Sequence, residues 1–246
     1  VFIRAGAILC LLLLAIAPCR AGENDFAIVI GNQAYRQGMP QVEFAKNDAK
    51  AFAKAAADIF KVPSANIIRA DDASLGVFYR IFGAPGGTGG QLDALIKHPE
   101  ARLYIYYSGH GVPVMRKDRA RPSLLPVDAA PAEAATTGYG LDDLVLAVRR
   151  VMQEKAPKGR AIIILDACFS GTSDGGTLAP DTSAGSIPVE IAPVSDILVL
   201  AAANDREVAH WDRGRSHGLF TDALLSGLYG AADEKTSGGN GDMAIT

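Results

Sequence analysis

Four short apolar runs constrain this chain more than anything else in it: residues 26–30 (FAIVI), 103–107 (LYIYY), 161–165 (AIIIL) and 197–201 (ILVLA). Each is rich in β-branched, leucine or aromatic side chains and is bounded by polar or turn residues. That is the pattern of strands covered on both faces. A weaker fifth strand is expected at 66–69. Between the runs the period changes to that of a helix. Residues 43–60 place Phe44, Phe52, Ala56, Ile59 and Phe60 on one face, and 141–152 and 218–228 read the same way. Strands alternating with helices argue for an open α/β sheet with helices on both faces.

The N-terminus stands apart from this pattern. Arg4 precedes an uncharged, Leu-rich run over residues 5–17, about 13 residues where a membrane span needs about 20. With the small residues around Pro18, Cys19 and Ala21 it reads as a secretory signal over residues 1–21, cut after Ala21; the alternative is a retained anchor. An exported protein, periplasmic or secreted from a bacterium, is expected, with no stable membrane association once the signal is removed. Cys10 and Cys19 fall in that signal, so the mature chain keeps only Cys168 and has no internal disulfide. An unpaired thiol in an oxidising compartment calls for a use or deep burial.

Charge and composition remove several function classes. The net charge is −3 and no long basic run is present, so neither nucleic acid nor an anionic membrane is an expected partner. At 7% aromatic residues, base-stacking platforms are disfavoured too. Three stretches read as loops: 83–90 (GAPGGTGG), 112–140 with its cluster Arg116, Lys117, Arg119 and Arg121, and 172–195, which has no Lys or Arg. The glycine run is followed by Gln91-Leu92 rather than Lys-Ser/Thr, so it is not a phosphate loop. No zinc-ligand spacing joins His98, His110, His210, His217 and Cys168.

Two motifs fall just beyond strand ends, where an α/β sheet builds its sites: Ser108-Gly109-His110-Gly111 after LYIYY, and Asp166-Ala167-Cys168-Phe169-Ser170-Gly171 after AIIIL. If those strands are neighbours, His110 and Cys168 emerge side by side. A thiol nucleophile needs a base that takes its proton and returns it to the leaving amine, and histidine does both. The tetrahedral oxyanion needs donors, for which the backbone N–H groups of Gly111 and Cys168 are the candidates. The glycines flanking His110 are expected to let backbone approach the substrate closely. Asp48 shares the helix face of Phe44 and Phe52, so its carboxylate must be paired or bound rather than buried alone.

These paired motifs resemble the caspase/metacaspase superfamily of C14-type peptidases, in particular the bacterial metacaspase-like proteins also called orthocaspases. FAIVIGNQAY and KNDA resemble the first strand and first helix of that family, and the likeness spans about residues 25–229. It implies a three-layer sandwich around a mostly parallel six-stranded sheet, with a peptidase domain at 25–230. Residues 231–246 read as a tail or the start of a further region. It also implies a cysteine endopeptidase with Cys168 as nucleophile and His110 as base and acid. The acids of N-D-A and D-x-C and the Ser of S-G-H-G, here Asp48, Asp166 and Ser108, would bind a basic side chain. Cleavage after Arg or Lys in a protein or peptide substrate follows, since an acidic pocket pairs bidentately with a guanidinium.

The resemblance carries further implications. The chemistry requires no cofactor, but relatives often bind calcium through aspartates, here Asp128, Asp142, Asp143 and, with a shifted spacing, Asp174. Residues 202–220 resemble a groove-forming loop, with Trp211 as a wall of the groove or a packing residue. Many relatives cut themselves in the linker that matches 172–195. Without a basic residue there, this chain is expected to work uncut or to be cut at 116–121 or 213–215. The alternative is a catalytically silent caspase fold used for binding or signalling.

Overall fold

The structure, a computed structural model, describes residues 22–36, 38–86, 89–116, 119–130, 133–169, 172–173, 176–177, 196–202, 211–212 and 214–234. β1 (Phe26–Gly31) leads to α1 (Ala45–Asp58), a 3-10 turn at Ser64–Asn66 and β2 (Ile67–Asp71). α2 (Leu75–Phe82) and the single turn α3 (Leu92–Leu95) precede β3 (Leu103–Ser108). Then come β4 (Gly111–Arg116), β5 (Arg119–Leu124), the short α4 (Ala134–Thr137), β6 (Tyr139–Gly140), α5 (Leu141–Lys155) and β7 (Ala161–Asp166). β8 (Thr172–Ser173) pairs with β9 (Gly176–Thr177). They are followed by β10 (Ile197–Ala201), β11 (Trp211–Asp212), β12 (His217–Gly218) and α6 (Leu219–Leu228).

The main sheet is entirely parallel and runs β10-β7-β3-β1-β2, five strands among the described residues where six are expected. The period of two sorts each strand between two layers. Ala27 and Val29 of β1, Tyr104 and Tyr106 of β3, and Ile164 of β7 face α1 and α6 through Ala49, Phe52, Ala56, Phe220 and Leu224. The alternate residues Ile28, Ile30, Leu103, Ile105, Tyr107, Ile163 and Leu165 meet α2, α3 and α5. Helices therefore cover both faces, and the three-layer α/β architecture is established. Phe52 is fully buried and stacks on Tyr106 with ring centres 4.6 Å apart. Truncating such a side chain to alanine costs about 3–5 kcal/mol.

The segment 112–140 is not the plain loop its composition suggests. β4, β5 and β6 form a second, antiparallel sheet of three strands. Pro113 sits directly opposite Pro122, which would normally argue against a ladder. Leu125 N–H donates to His110 O at 2.9 Å, which makes Gly111–Leu124 a non-hydrogen-bonded pair. Two residues on, Pro113–Pro122 is non-hydrogen-bonded as well, so neither missing N–H is needed.

Candidate active site

The register of β3 against β7 builds the site. Ser108 is paired with Asp166 at the last matched position, so His110 and Cys168 each lie two residues beyond it on adjacent strands. The two exits touch. A Cβ placed on Gly111 would come 2.7 Å from the Phe169 ring and 2.8 Å from Cys168 O. A Cβ on Gly109 would lie 2.6 Å from the Tyr107 hydroxyl and 2.7 Å from that of Tyr35. The glycines around His110 thus make room for the protein's own side chains, not for substrate as their flexibility suggests. Cys168 is buried and outside any disulfide. Because Gly111–Leu124 is a non-hydrogen-bonded pair, the ladder leaves Gly111 N–H unused. Ser170, Gly171 and the remaining residues of 178–195 lie outside the described residues.

His110 is buried and held at several points. Its Nε2 lies 2.8 Å from Pro40 O in the loop between β1 and α1. A carbonyl only accepts, so the neutral ring carries its proton on Nε2 and keeps Nδ1 as its basic nitrogen. Burial pulls its pKa down to about 4, partly offset by the Pro40 hydrogen bond, so the ring is neutral near pH 7. The Tyr35 ring packs on it with centroids 4.5 Å apart.

The acids gather beneath this corner. Asp48, in the first turn of α1, is 2% exposed. It takes the Nδ1 side of His217 at 2.6 Å and the Gly218 N–H at 3.2 and 3.3 Å. Asp166 is 7% exposed and accepts the Thr221 hydroxyl at 2.5 Å, which in turn lies 2.5 Å from Tyr106 Oη. A Cβ on Gly218 would sit 2.7 Å from Asp166 Oδ2 and 3.3 Å from Asp48 Oδ2, so one glycine touches both carboxylates. Burial pushes Asp166 upward. Asp48 is raised to about 7, chiefly by burial and further by the Asp166 charge, against the lowering pull of His217. Ser108, also buried, completes the group through its pairing with Asp166. No lysine or arginine is paired with either acid among the described residues.

The expected calcium ligands are not brought together. Asp128 Oδ1 accepts Leu75 N–H at the start of α2, Asp142 pairs with Arg121, and Asp143 accepts Gly86 N–H. No group of three or more potential metal ligands exists among the described residues, and Asp174 lies outside them. The described acids do not fit a calcium site, and no step below runs through that ion. His217, Gly218, Thr221, Tyr35 and Pro40 carry no motif signal of their own. The hydrophobic period of α6 reaches Gly218 and Thr221, the groove-loop likeness at 202–220 reaches His217 and Gly218, the FAIVIGNQAY likeness reaches Tyr35, and nothing reaches Pro40.

Comparison with known proteins gives the family and the fold. The family model of the caspase domain, peptidase C14, matches residues 91–238, more than half of the chain. The chain belongs to this family, and at that level it is a caspase-type peptidase domain. No curated protein shows significant similarity to the sequence. Among solved structures, a protein from Geobacter sulfurreducens aligns at a TM-score of 0.55 with 15% identity, over 82% of this chain and 80% of its own. Caspase-1 from Spodoptera frugiperda aligns at 0.54 with 16% identity, over 87% and 72% respectively. At such identity the likeness is one of fold.

Proposed function

We propose that this chain is an exported cysteine endopeptidase that cleaves proteins or peptides after Arg or Lys, with Cys168 as nucleophile and His110 as its base. The observation that supports this reading is the Ser108–Asp166 register pair, which leaves His110 and Cys168 each two residues beyond the same end of two adjacent strands. Cys168 gives its proton to His110 Nδ1 as sulfur attacks the scissile carbonyl carbon and a C–S bond forms. The oxyanion is met by the backbone N–H groups of Gly111 and Cys168. Collapse breaks the C–N bond, and His110 hands the proton to the departing amine. His110 then takes a proton from water as the hydroxide attacks the thioester, and the thiol leaves with that proton restored. Asp48 and Asp166 supply negative charge to a guanidinium or ammonium, and Ser108 adds a hydroxyl.

The leader-like residues 1–21 support export, with a mature N-terminus at Gly22. Peptides ending in Arg, Lys, Asp or Leu ahead of a fluorophore test the reading. Wild type should hydrolyse the Arg and Lys peptides, and Cys168→Ala and His110→Ala should lose at least 1000-fold in kcat. Equal hydrolysis by Cys168→Ala would refute it.

A further inference from the structure

The geometry points to Tyr35 as the positioning residue that fixes His110 for proton transfer, acting through its hydroxyl. This inference rests on the peptidase reading above. His110 N–H donates to Tyr35 Oη at 2.8 Å, Tyr35 Oη donates to Leu125 O at 3.1 Å, and Leu125 N–H donates back to His110 O at 2.9 Å. The three bonds close a ring that locks the backbone of His110 to the second sheet. Tyr107 Oη adds a donor to His110 O at 2.7 Å. Asn32 Nδ2 braces Leu125 O from behind at 3.0 Å.

Tyr35 does more than hold a backbone. Its ring lies against the imidazole, tilted by 45°, on the same loop that supplies Pro40 O to Nε2. One loop therefore grips the histidine by its amide, its ring face and one ring nitrogen, and leaves Nδ1 for the thiol. Burial keeps the phenol protonated far above any working pH, so it goes on accepting the His110 N–H and donating to Leu125 O, with the Tyr107 hydroxyl 3.2 Å away. Phenylalanine at 35 would keep the ring and orphan a buried N–H. The imidazole would then be free to shift, and small misplacements of a catalytic group cost up to about 100-fold in rate.

Tyr35→Phe is the test, with Tyr104→Phe as the control, because Tyr104 stacks on Phe60 on the opposite layer. Expected for Tyr35→Phe is a kcat about 10- to 100-fold lower with KM unchanged, and for Tyr104→Phe a kcat within about twofold of wild type. Nitrogen-15 NMR of the histidine rings reads positioning without any turnover. Wild type should show His110 as the Nε2–H tautomer, neutral down to about pH 4. Tyr35→Phe should show a mixture of tautomers and a pKa moved toward the ordinary histidine value. Wild-type kcat and an unchanged His110 spectrum, with only a lower melting temperature, would overturn the proposal. Should the variant not fold, hydrogen exchange on the wild type decides. A His110 amide exchanging as fast as the termini contradicts the ring of bonds, and one among the slowest supports it. Absence of peptide cleavage by wild type would refute the peptidase reading alone, since the NMR outcome stands on its own.

Discussion

Nδ1 of His217 lies 2.6 Å from Oδ1 of Asp48, so the innermost acid of the corner already holds a nitrogen donor. Asp166, on the far side of Gly218, has hydroxyl and backbone partners but no cation among the described residues. Two buried carboxylates, of which only Asp48 meets an imidazole, form a site that gains from a positive charge, which a basic substrate side chain would supply. Asp48→Asn and Asp166→Asn should each lower kcat/KM for Arg peptides about 100-fold. Leu peptides should change by less than about threefold. Equal losses on both peptide types would show that the acids serve the fold and not selectivity.

The raised pKa of Asp48 also makes a stability prediction. Folding moves this carboxyl from its ordinary 3.8 up to about 7, so the folded state binds the proton more tightly than the unfolded chain. The stability tied to that proton is fully present below the ordinary value and is lost as pH rises through about 7. Asp166 is shifted in the same direction. Asp48→Asn removes the Asp48 share of that dependence. Its melting temperature should match wild type only below about pH 4 and exceed it increasingly up to pH 8, by roughly 2–4 °C for each kcal/mol relieved. A difference between the two that is independent of pH would contradict the assignment.

Rate profiles should separate the two titrations. Hydrolysis of Arg peptides should rise in kcat/KM through about pH 7 as Asp48 ionises, and Leu peptides should lack that limb. Leu peptides should fall off on the acid side only near pH 4, where His110 becomes protonated, and Arg peptides should show that limb as a second one below the Asp48 limb. A shared limb at the ordinary histidine pKa would mean that His110 is solvated and not buried.

Gly109→Ala tests the packing beneath the histidine. The added methyl would meet the Tyr107 and Tyr35 hydroxyls at 2.6 and 2.7 Å, and both hydroxyls are tied by hydrogen bonds that resist moving aside. Chemical denaturation should show a loss of about 1–3 kcal/mol. A variant of wild-type stability would show that the two phenols have room to retreat.

The main sheet was legible because its strands are buried on both faces, and continuous apolar runs such as LYIYY and AIIIL have few other uses. His110, Cys168 and Asp166 could be named from motifs because strand ends are where such sheets gather reactive groups, and Asp48 from its place on the apolar face of the first helix and the N-D-A likeness. The second sheet was hidden by Pro113 and Pro122 and by the arginines between them, since only the pairing pattern shows that those prolines cost no ladder bond. α2 was missed for its brevity. The partners of the site escaped for a different reason. Pro40 acts through its carbonyl, Gly218 through its lack of a side chain, and Tyr35, Thr221 and His217 arrive from segments far from the motifs they serve. Sequence spacing holds no record of such contacts.

The most direct measurement uses peptidyl acyloxymethyl ketones, which alkylate a thiol only when seated as substrates. An Arg-ended and an Asp-ended reagent are incubated with the folded protein, and the modified residue is mapped by mass spectrometry. One adduct, on Cys168, is expected from the Arg reagent and none from the Asp reagent, with the adduct lost in Asp48→Asn. Labelling of Cys168 by the Asp reagent in preference to the Arg reagent, or no labelling by either, would contradict it.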